Sequence, residues 1–300
     1  MTSIEIAPTA VLDRAASIFD GLDVAESTRK EYKWRIQAFF SFLNGQPLTP
    51  QSYLDYKRYL GGRADLSIST KNKYLVAAGI FLRELTRRGL LPMDITLNIH
   101  QFQQSKKHKQ DGVNDQEMTE MAAWLRQLAP TPANARLKAI ICLLALQGLR
   151  QIEVRRLDVA DLDLVARVAL VQGKGRDDKE PVDLNPQTIQ ALRDYLKATG
   201  LRSGPLFPSR ERKAGHDRIT TRTIRLIVRQ AFDELGIDKT THGLRHYFTT
   251  KLLTVYQGDL LEVRQYTRHS GLEMLRHYDD RRKQQEDLPR FFGAFAGVDL

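Results

Sequence analysis

The chain has 300 residues, enough for two domains that each bury a core. Its 46 Lys and Arg outnumber 36 Asp and Glu, a net charge of +10, while 42% apolar residues exclude a disordered basic tail. A folded chain with that surplus points to a polyanionic partner, nucleic acid ahead of an anionic membrane surface. No apolar run reaches the roughly 18 residues needed to cross a bilayer, and no membrane association is expected. The N-terminus lacks the basic-then-apolar pattern of a signal peptide. Cys142, inside "AIICLLAL", is the one cysteine. It excludes an internal disulfide, and a core thiol fits a reducing, cytoplasmic setting.

The first hundred residues read as helices. "STRKEYKWRIQAFFSFL" opens with Ser27 as N-cap and carries Tyr32, Ile36, Phe39, Phe40 and Leu43 at helical spacing. "TPQSYLDYKRYL" presents Thr49 as a cap before Pro50. "STKNKYLVAAGIFLRELTRRG" lines up Tyr74, Ala77, Ala78, Phe81, Leu82 and Leu85 and closes on Gly89. The opposite faces carry Lys30, Lys33, Arg35, Lys71, Lys73, Arg83 and Arg87, a candidate phosphate-contacting surface. Residues 100–115, polar and basic with Lys106 and Lys107, read as an interdomain linker. Beyond it "DQEMTEMAAWLRQL" and the nearly all-apolar "ARLKAIICLLALQGL" predict helices. "VARVALVQGKGRDDKEPVDL" predicts two short strands around a Gly-rich turn. Helices return in "PQTIQALRDYL", "TTRTIRLIVRQAFDEL", "HGLRHYFTTKLLTVY" and "GLEMLRHYDD". The fold class is mainly α with a small β-sheet.

Four stretches carry candidate chemistry. In "GLRQIEVRRL", Arg150 follows Gly148 at the end of the most apolar helix, with Glu153 one turn on; a structural arginine capping helix carbonyls explains this equally well. In "QGKGRDD", Lys174 stands between two glycines, but the stretch lacks the spacing of a phosphate-binding P-loop and reads equally as a plain hairpin. In "THGLRHYFTTKLL", Leu244, Phe248, Leu252 and Val255 form the expected buried stripe, while His242, Arg245 and Thr249 share another face. His242 and His246 are spaced as a metal pair, yet Gly243 replaces the glutamate of a metalloprotease and no third ligand lies nearby, so no metal site is expected. In "RHSGLEMLRHYDD", Tyr278 lies nine residues after His269. On one straight helix they would face opposite ways. Ser270 and Glu273 form a capping box that restarts the helix between them. With Met274 and Leu275 at i−4 and i−3, Tyr278 reads on spacing alone as a core aromatic sooner than a nucleophile.

Taken together, the four stretches resemble the tyrosine recombinase (phage integrase) family from about residue 25 to just past Tyr278. The motifs stand in order: "GLRxxE" with Arg150 and Glu153, "GKG" with Lys174, "HxLRH" from His242 to His246, and "HS" at His269 followed by Tyr278. The resemblance implies a helical, SAM-like core-binding domain (1–103), a linker (104–112), and an α+β catalytic domain with a C-terminal tail (113–300). It implies Tyr278 as nucleophile in a 3′-phosphotyrosyl intermediate and Arg150 and Arg245 as clamps on the phosphate oxygens. Lys174 would protonate the leaving 5′-oxygen, His242 accept the phenol proton, His269 donate to the phosphate, and Glu153 orient its neighbours. No cofactor or metal is implied. The partner would be duplex DNA with a short recombination site, bound by a homotetramer that passes through a Holliday junction and is a monomer in solution, with room for accessory DNA-binding proteins. The layout is similar to that of Xer-type and transposon recombinases, without an arm-binding domain.

Four positions depart from the family pattern. Gly243 replaces a common Asp and is expected to loosen that helix start; Arg268 replaces the glycine of "GHS"; Asp177 and Asp178 follow the GKG turn. The tail residues Phe291, Phe292 and Phe295 would dock either on their own domain or on a neighbour. Two rivals share the fold or the chemistry: a DNA-binding regulator that has lost catalysis, and a type IB-like topoisomerase. A third, a metal-dependent hydrolase, would be sensitive to EDTA.

Overall fold

Ser67, Asn114, Thr131, Asn185 and Thr220 each accept a backbone N–H two or three residues ahead, and a helix starts after each. These side chains satisfy donors that a first helical turn leaves unpaired. The computed structural model describes residues 17–104, 112–173, 175–209, 217–269, 271–276, 278–279, 283, 287 and 289. Lys106, Lys107, Lys174, Ser270 and the three tail phenylalanines lie outside the described residues. The chain divides into two compact units, Met1–Lys106 and Lys107–Leu300. Among the described residues no helix is long and apolar enough to cross a membrane.

The first unit holds α1 (Glu26–Leu43), α2 (Ser52–Gly62) and α3 (Ile68–Arg87). Its core is aromatic: Phe39 and Tyr56 meet edge to face at 4.9 Å, and Phe40 meets Phe81 at 5.2 Å in the same manner. Such pairs add about 0.5–1.5 kcal/mol to the burial of their area. Gly89 lies just past α3 at φ 71, the left-handed stop that the sequence predicts. Two helix starts differ from expectation. α1 begins at Glu26, so Ser27 lies within its first turn; α2 begins at Ser52, whose hydroxyl accepts the Thr49 N–H at 2.9 Å. Lys71 is also displaced from the expected basic face. It is 6% exposed, and its ammonium donates to the Gly61 carbonyl at 2.9 Å, so it ties α3 to α2.

The second unit runs α4 (Asp115–Gln127), α5 (Pro132–Ala145), α6 (Gln151–Arg156), β1 (Leu162–Asp163), β2 (Val168–Gln172), β3 (Lys179–Asp183), α7 (Pro186–Thr199), α8 (Thr221–Glu234), α9 (His242–Val255) and α10 (Leu260–Thr267). Residues 272–276 and 278–279 are helical as well. α5 is the central element. Leu137, Ala139, Ile140, Ile141, Leu143, Leu144 and Ala145 are buried, and the helix packs on α7 and α9. The strands form one antiparallel sheet in the order β1-β2-β3, with Ala169 opposite Val182 and Val171 opposite Glu180. β1 is two residues long, too short to show a period in the sequence.

α9 corrects the expected stripe. Leu244 is buried, but Val255 is 70% exposed, and the buried side runs through Arg245, Thr249 and Leu253. Arg245 and Thr249 occupy core positions because their polar atoms find carbonyls there: Thr249 Oγ1 donates to the Arg245 carbonyl at 3.1 Å, and the acceptors of Arg245 are described below. The start of α9 is held by backbone bonds: Gly243 N–H donates to Thr240 O at 2.7 Å, and its carbonyl accepts from Val113 N–H at 3.2 Å. The expected loosening at Gly243 is not what these bonds describe.

Candidate active site

α5 ends at Ala145, and Gly148 turns the chain at φ 58 before α6. A Cβ at this position would overlap the Phe248 ring of α9. Glycine is thus required twice, by its backbone angle and by the approach of an aromatic ring. Gly148→Ala is expected to destabilise the second unit by about 2–4 kcal/mol, from overpacking and a left-handed alanine together. Urea unfolding should show a lower midpoint at unchanged slope.

Arg150 is the N-cap of α6. Its backbone N–H donates to Glu153 Oε2 at 2.8 Å, and its Nη1 donates to Oε1 at 2.7 Å. Glu153 is fully buried at 0% exposure and accepts a third bond, from Arg268 Nη2 at 3.1 Å. Burial alone would raise the pKa of this carboxyl. The charge of Arg268 and the bonds from Arg150 outweigh it, and the group stays below the usual carboxylate range.

Arg245, 2% exposed, reaches back from the first turn of α9. Its Nη1 donates to the Gly148 carbonyl and its Nη2 to the Thr267 carbonyl, the latter at 2.6 Å. The planar fork of a guanidinium suits two acceptors at once. Burial, then the like charge of Arg150, lowers its pKa to about 9, so it remains charged at pH 7. His269 is 9% exposed, and its Nδ1 lies 2.8 Å from Thr267 Oγ1. Burial and the surrounding cations, Arg245 foremost, push its pKa down to about 3, leaving a neutral imidazole at neutral pH. His242 is exposed at the start of α9, near enough for its charge to act on His269.

Tyr278 is 4% exposed and packs with Leu253, Val263 and Leu275. Of its two expected helical neighbours, Leu275 is buried and Met274 is 46% exposed. The ring centroid stands 4.4 Å from that of His246 and 6.2 Å from that of His269. Burial raises the phenol's pKa, while the charges of Arg245 and Arg150 draw it down. The chain thus brings Arg150, Glu153, Arg245, His269 and Tyr278 to one place, with His242 at its rim; Lys174 lies outside the described residues.

Sequence reasoning missed three contributors. His246, weighed as a metal ligand and otherwise only as the end of the HxLRH motif, lies against the Tyr278 ring. Thr267 supplies both a carbonyl to Arg245 and a hydroxyl to His269. Arg268, noted only as a departure, is a partner of Glu153. Among the described residues no cluster of His, Cys, Asp and Glu is arranged to hold a metal.

On the first unit, the expected basic residues are mostly paired. Lys30 meets Glu26 at 2.6 Å, Lys33 meets Asp20 at 2.8 Å, and Arg87 meets Glu84 at 2.7 Å. Arg83 donates to Thr96 Oγ1 at 3.4 Å, and Lys73 is exposed. Exposed ion pairs of this kind contribute little to stability.

Comparison with known proteins places the chain. Over 152 residues it is 34% identical to a tyrosine recombinase of Synechocystis sp., a match covering 49% of each chain. A tyrosine recombinase of Synechococcus elongatus gives 31% over 158 residues, covering 51% of this chain and 49% of the relative. The chain therefore spans about half the length of these two curated relatives. Tyrosine recombinase XerC of Lactobacillus delbrueckii subsp. bulgaricus is 30% identical over 221 residues, covering 71% of this chain and 72% of the relative. Two solved structures share the fold. XerH site-specific recombinase bound to a palindromic difH substrate aligns with TM-score 0.70 at 19% identity, over 87% of this chain and 78% of that one. A lambda integrase dimer bound to a COC' core site aligns with TM-score 0.71 at 15% identity, over 92% and 78%. Residues 113–285, more than half of the sequence, match the model of the phage integrase family, and the chain belongs to that family.

Proposed function

We propose that the protein is a site-specific DNA recombinase with Tyr278 as its nucleophile. The observation that carries this reading is the Tyr278 phenol, buried against His246 and His269 within the field of Arg245 and Arg150. A phenol with an ordinary pKa near 10 is a weak nucleophile at neutral pH and needs a base and nearby positive charge. Tyr278 Oη attacks a DNA phosphorus, the P–O5′ bond breaks, and the strand is left with a 3′-phosphotyrosyl link and a free 5′-hydroxyl. The phenol proton passes to His242; Lys174 gives a proton to the departing 5′-oxygen. Arg150 and Arg245 hold the non-bridging oxygens of the five-coordinate phosphorus, where fixed positive charge is worth most. His269 Nδ1 and Thr267 Oγ1 are 2.8 Å apart; with the hydroxyl as donor, the imidazole would carry its proton on Nε2 and offer it to the phosphate. The covalent link conserves the energy of the broken bond, so an incoming 5′-hydroxyl reverses the step without ATP or a cofactor.

Residues 1–103 serve in this reading as a core-binding domain, residues 104–112 as a linker and residues 113–300 as the catalytic domain. Lys30, Lys33, Lys73, Arg83 and Arg87, with Lys106 and Lys107, would meet backbone phosphates, a role supported by the net charge of +10. The tyrosine recombinase name of that relative supports recombination as the reaction. Four protomers would assemble on synapsed duplexes and resolve a Holliday junction, from a cytoplasmic protein that is monomeric in solution.

The test uses the full chain, EDTA and nicked duplexes drawn from DNA flanking its gene. A protein–DNA adduct that survives SDS is expected with wild type and is expected to vanish with Tyr278→Phe, while duplex binding changes by less than about threefold. An adduct persisting in the variant would reassign the nucleophile. Site-specific binding without any adduct would favour an inactive regulator, and relaxation of supercoils without a defined site a topoisomerase.

A further inference from the structure

Arg268 has no part in the chemistry proposed above, yet its side chain is 7% exposed and ends among carboxylates. It stands at the C-cap of α10 with φ 53, a left-handed angle that favours glycine. From there Nη2 donates to Glu153 Oε2 at 3.1 Å. Nε lies 3.3 Å from Glu180 Oε1 on β3, an ion pair by distance whose angle does not make it a hydrogen bond. An arginine held at an unfavourable backbone angle, with its charge drawn inward, indicates contacts that offset the strain.

We propose that Arg268 is a positioning residue, tying the turn before His269 to the first turn of α6 through Glu153 and to strand β3 through Glu180, so that Arg150 and His269 are held in register. The geometry supports this from both sides. Thr267, just before Arg268, supplies the carbonyl that receives Arg245, and His269 follows directly. Glu153 receives Arg150 on one oxygen and shares the other between the Arg150 backbone and Arg268. Glu180 is opposite Val171 across the strand pair and also accepts from Arg176 at 3.0 Å. One guanidinium therefore joins three separate segments of the second unit. The charged groups facing Glu153 are Arg150 from α6, Arg245 from α9 and Arg268 from the α10 cap; Arg268 also faces Glu180, itself paired with Arg176, and His269 lies beside the same cap. Without Arg268 the buried carboxyl keeps the penalty of burial and loses its largest counter-charge. Its protonation then moves up in pH, and Arg150 loses its ionised partner sooner on acidification.

This inference rests on the recombinase reading for its catalytic readout, and a second readout separates the two. Single-turnover adduct formation is followed from pH 3.5 to 8.5 with Arg268→Gln, Arg268→Gly and Arg268→Lys. Glycine accepts the backbone angle, so that variant is expected to fold even where glutamine does not. The acid limb should move up by about one pH unit or more in the Gln and Gly variants, since one nearby opposite charge shifts a carboxyl by roughly that much. Duplex binding should stay within about threefold, and Lys should restore part of the profile. A wild-type acid limb in Arg268→Gly would overturn the proposal. If wild-type protein forms no adduct, the recombinase reading fails on its own; the carbon-13 titration of the Glu153 carboxyl in wild type and Arg268→Gly still decides the tie. An upward shift supports it, and coincident curves sink it.

Discussion

Glu153→Gln is expected to destabilise the second unit by about 3–5 kcal/mol, the largest stability effect of any single charge removal here. The amide matches the carboxylate in shape but not in charge. It would leave the guanidiniums of Arg150 and Arg268 facing a neutral, buried group. The chain has two tryptophans, Trp34 in the first unit and Trp124 in the second. In a Trp34→Phe background, Trp124 fluorescence during urea unfolding reports the second unit alone. A midpoint unchanged by Glu153→Gln would mean that the buried triad contributes nothing net. The pH dependence has a definite sign. Glu153 has a lowered folded-state pKa, so its contribution is present above the ordinary glutamate value of 4.5 and is lost as pH falls through the folded value. The gap between wild type and variant should therefore narrow on acidification. His269 adds to the same acid weakness of the wild type: the unfolded imidazole takes a proton near 6.5, whereas the folded one resists until about 3.

Arg245→Lys should reduce adduct formation by about 10²–10³-fold, even though the formal charge is kept. One ammonium on a flexible stem does not reproduce a planar fork that meets the Gly148 and Thr267 carbonyls together. The carbonyl left without a donor is buried and adds about 1–3 kcal/mol of instability. Single-turnover rates on nicked duplexes, measured where the variant remains folded, separate the two effects. A rate within tenfold of wild type would show that charge alone, without the fork, suffices at this position.

Much of the fold is written in local patterns. The apolar run around Cys142 predicts the central helix, and Thr131 with Pro132 marks its start in the structure. Gly148 marks the end of that helix in the sequence, and the chain turns there at φ 58 before α6. Family membership was legible because four weak motifs stood in one order. Other features depend on contacts that no local pattern encodes. Lys71 lies at a position that a helical wheel assigns to the basic face, but the Gly61 carbonyl of the neighbouring helix captures it. Val255 continues an apolar spacing past the point where the core ends. The acceptors of Arg245 are main-chain oxygens, which every residue carries and which no side-chain letter announces. Arg268 reads in the sequence as a departure from a glycine; only the fold shows where its charge goes.

Glu153 and Arg268 are 115 residues apart along the chain. A ribosome adding roughly 5–20 residues per second extrudes the second about 6–23 s after the first. During that interval Glu153 can meet only its local arginine, because the second guanidinium has not yet been made. Closure is therefore a late, long-range event in the life of each new molecule, and a translation pause placed between the two codons would lengthen the open phase without altering a single residue of the finished protein.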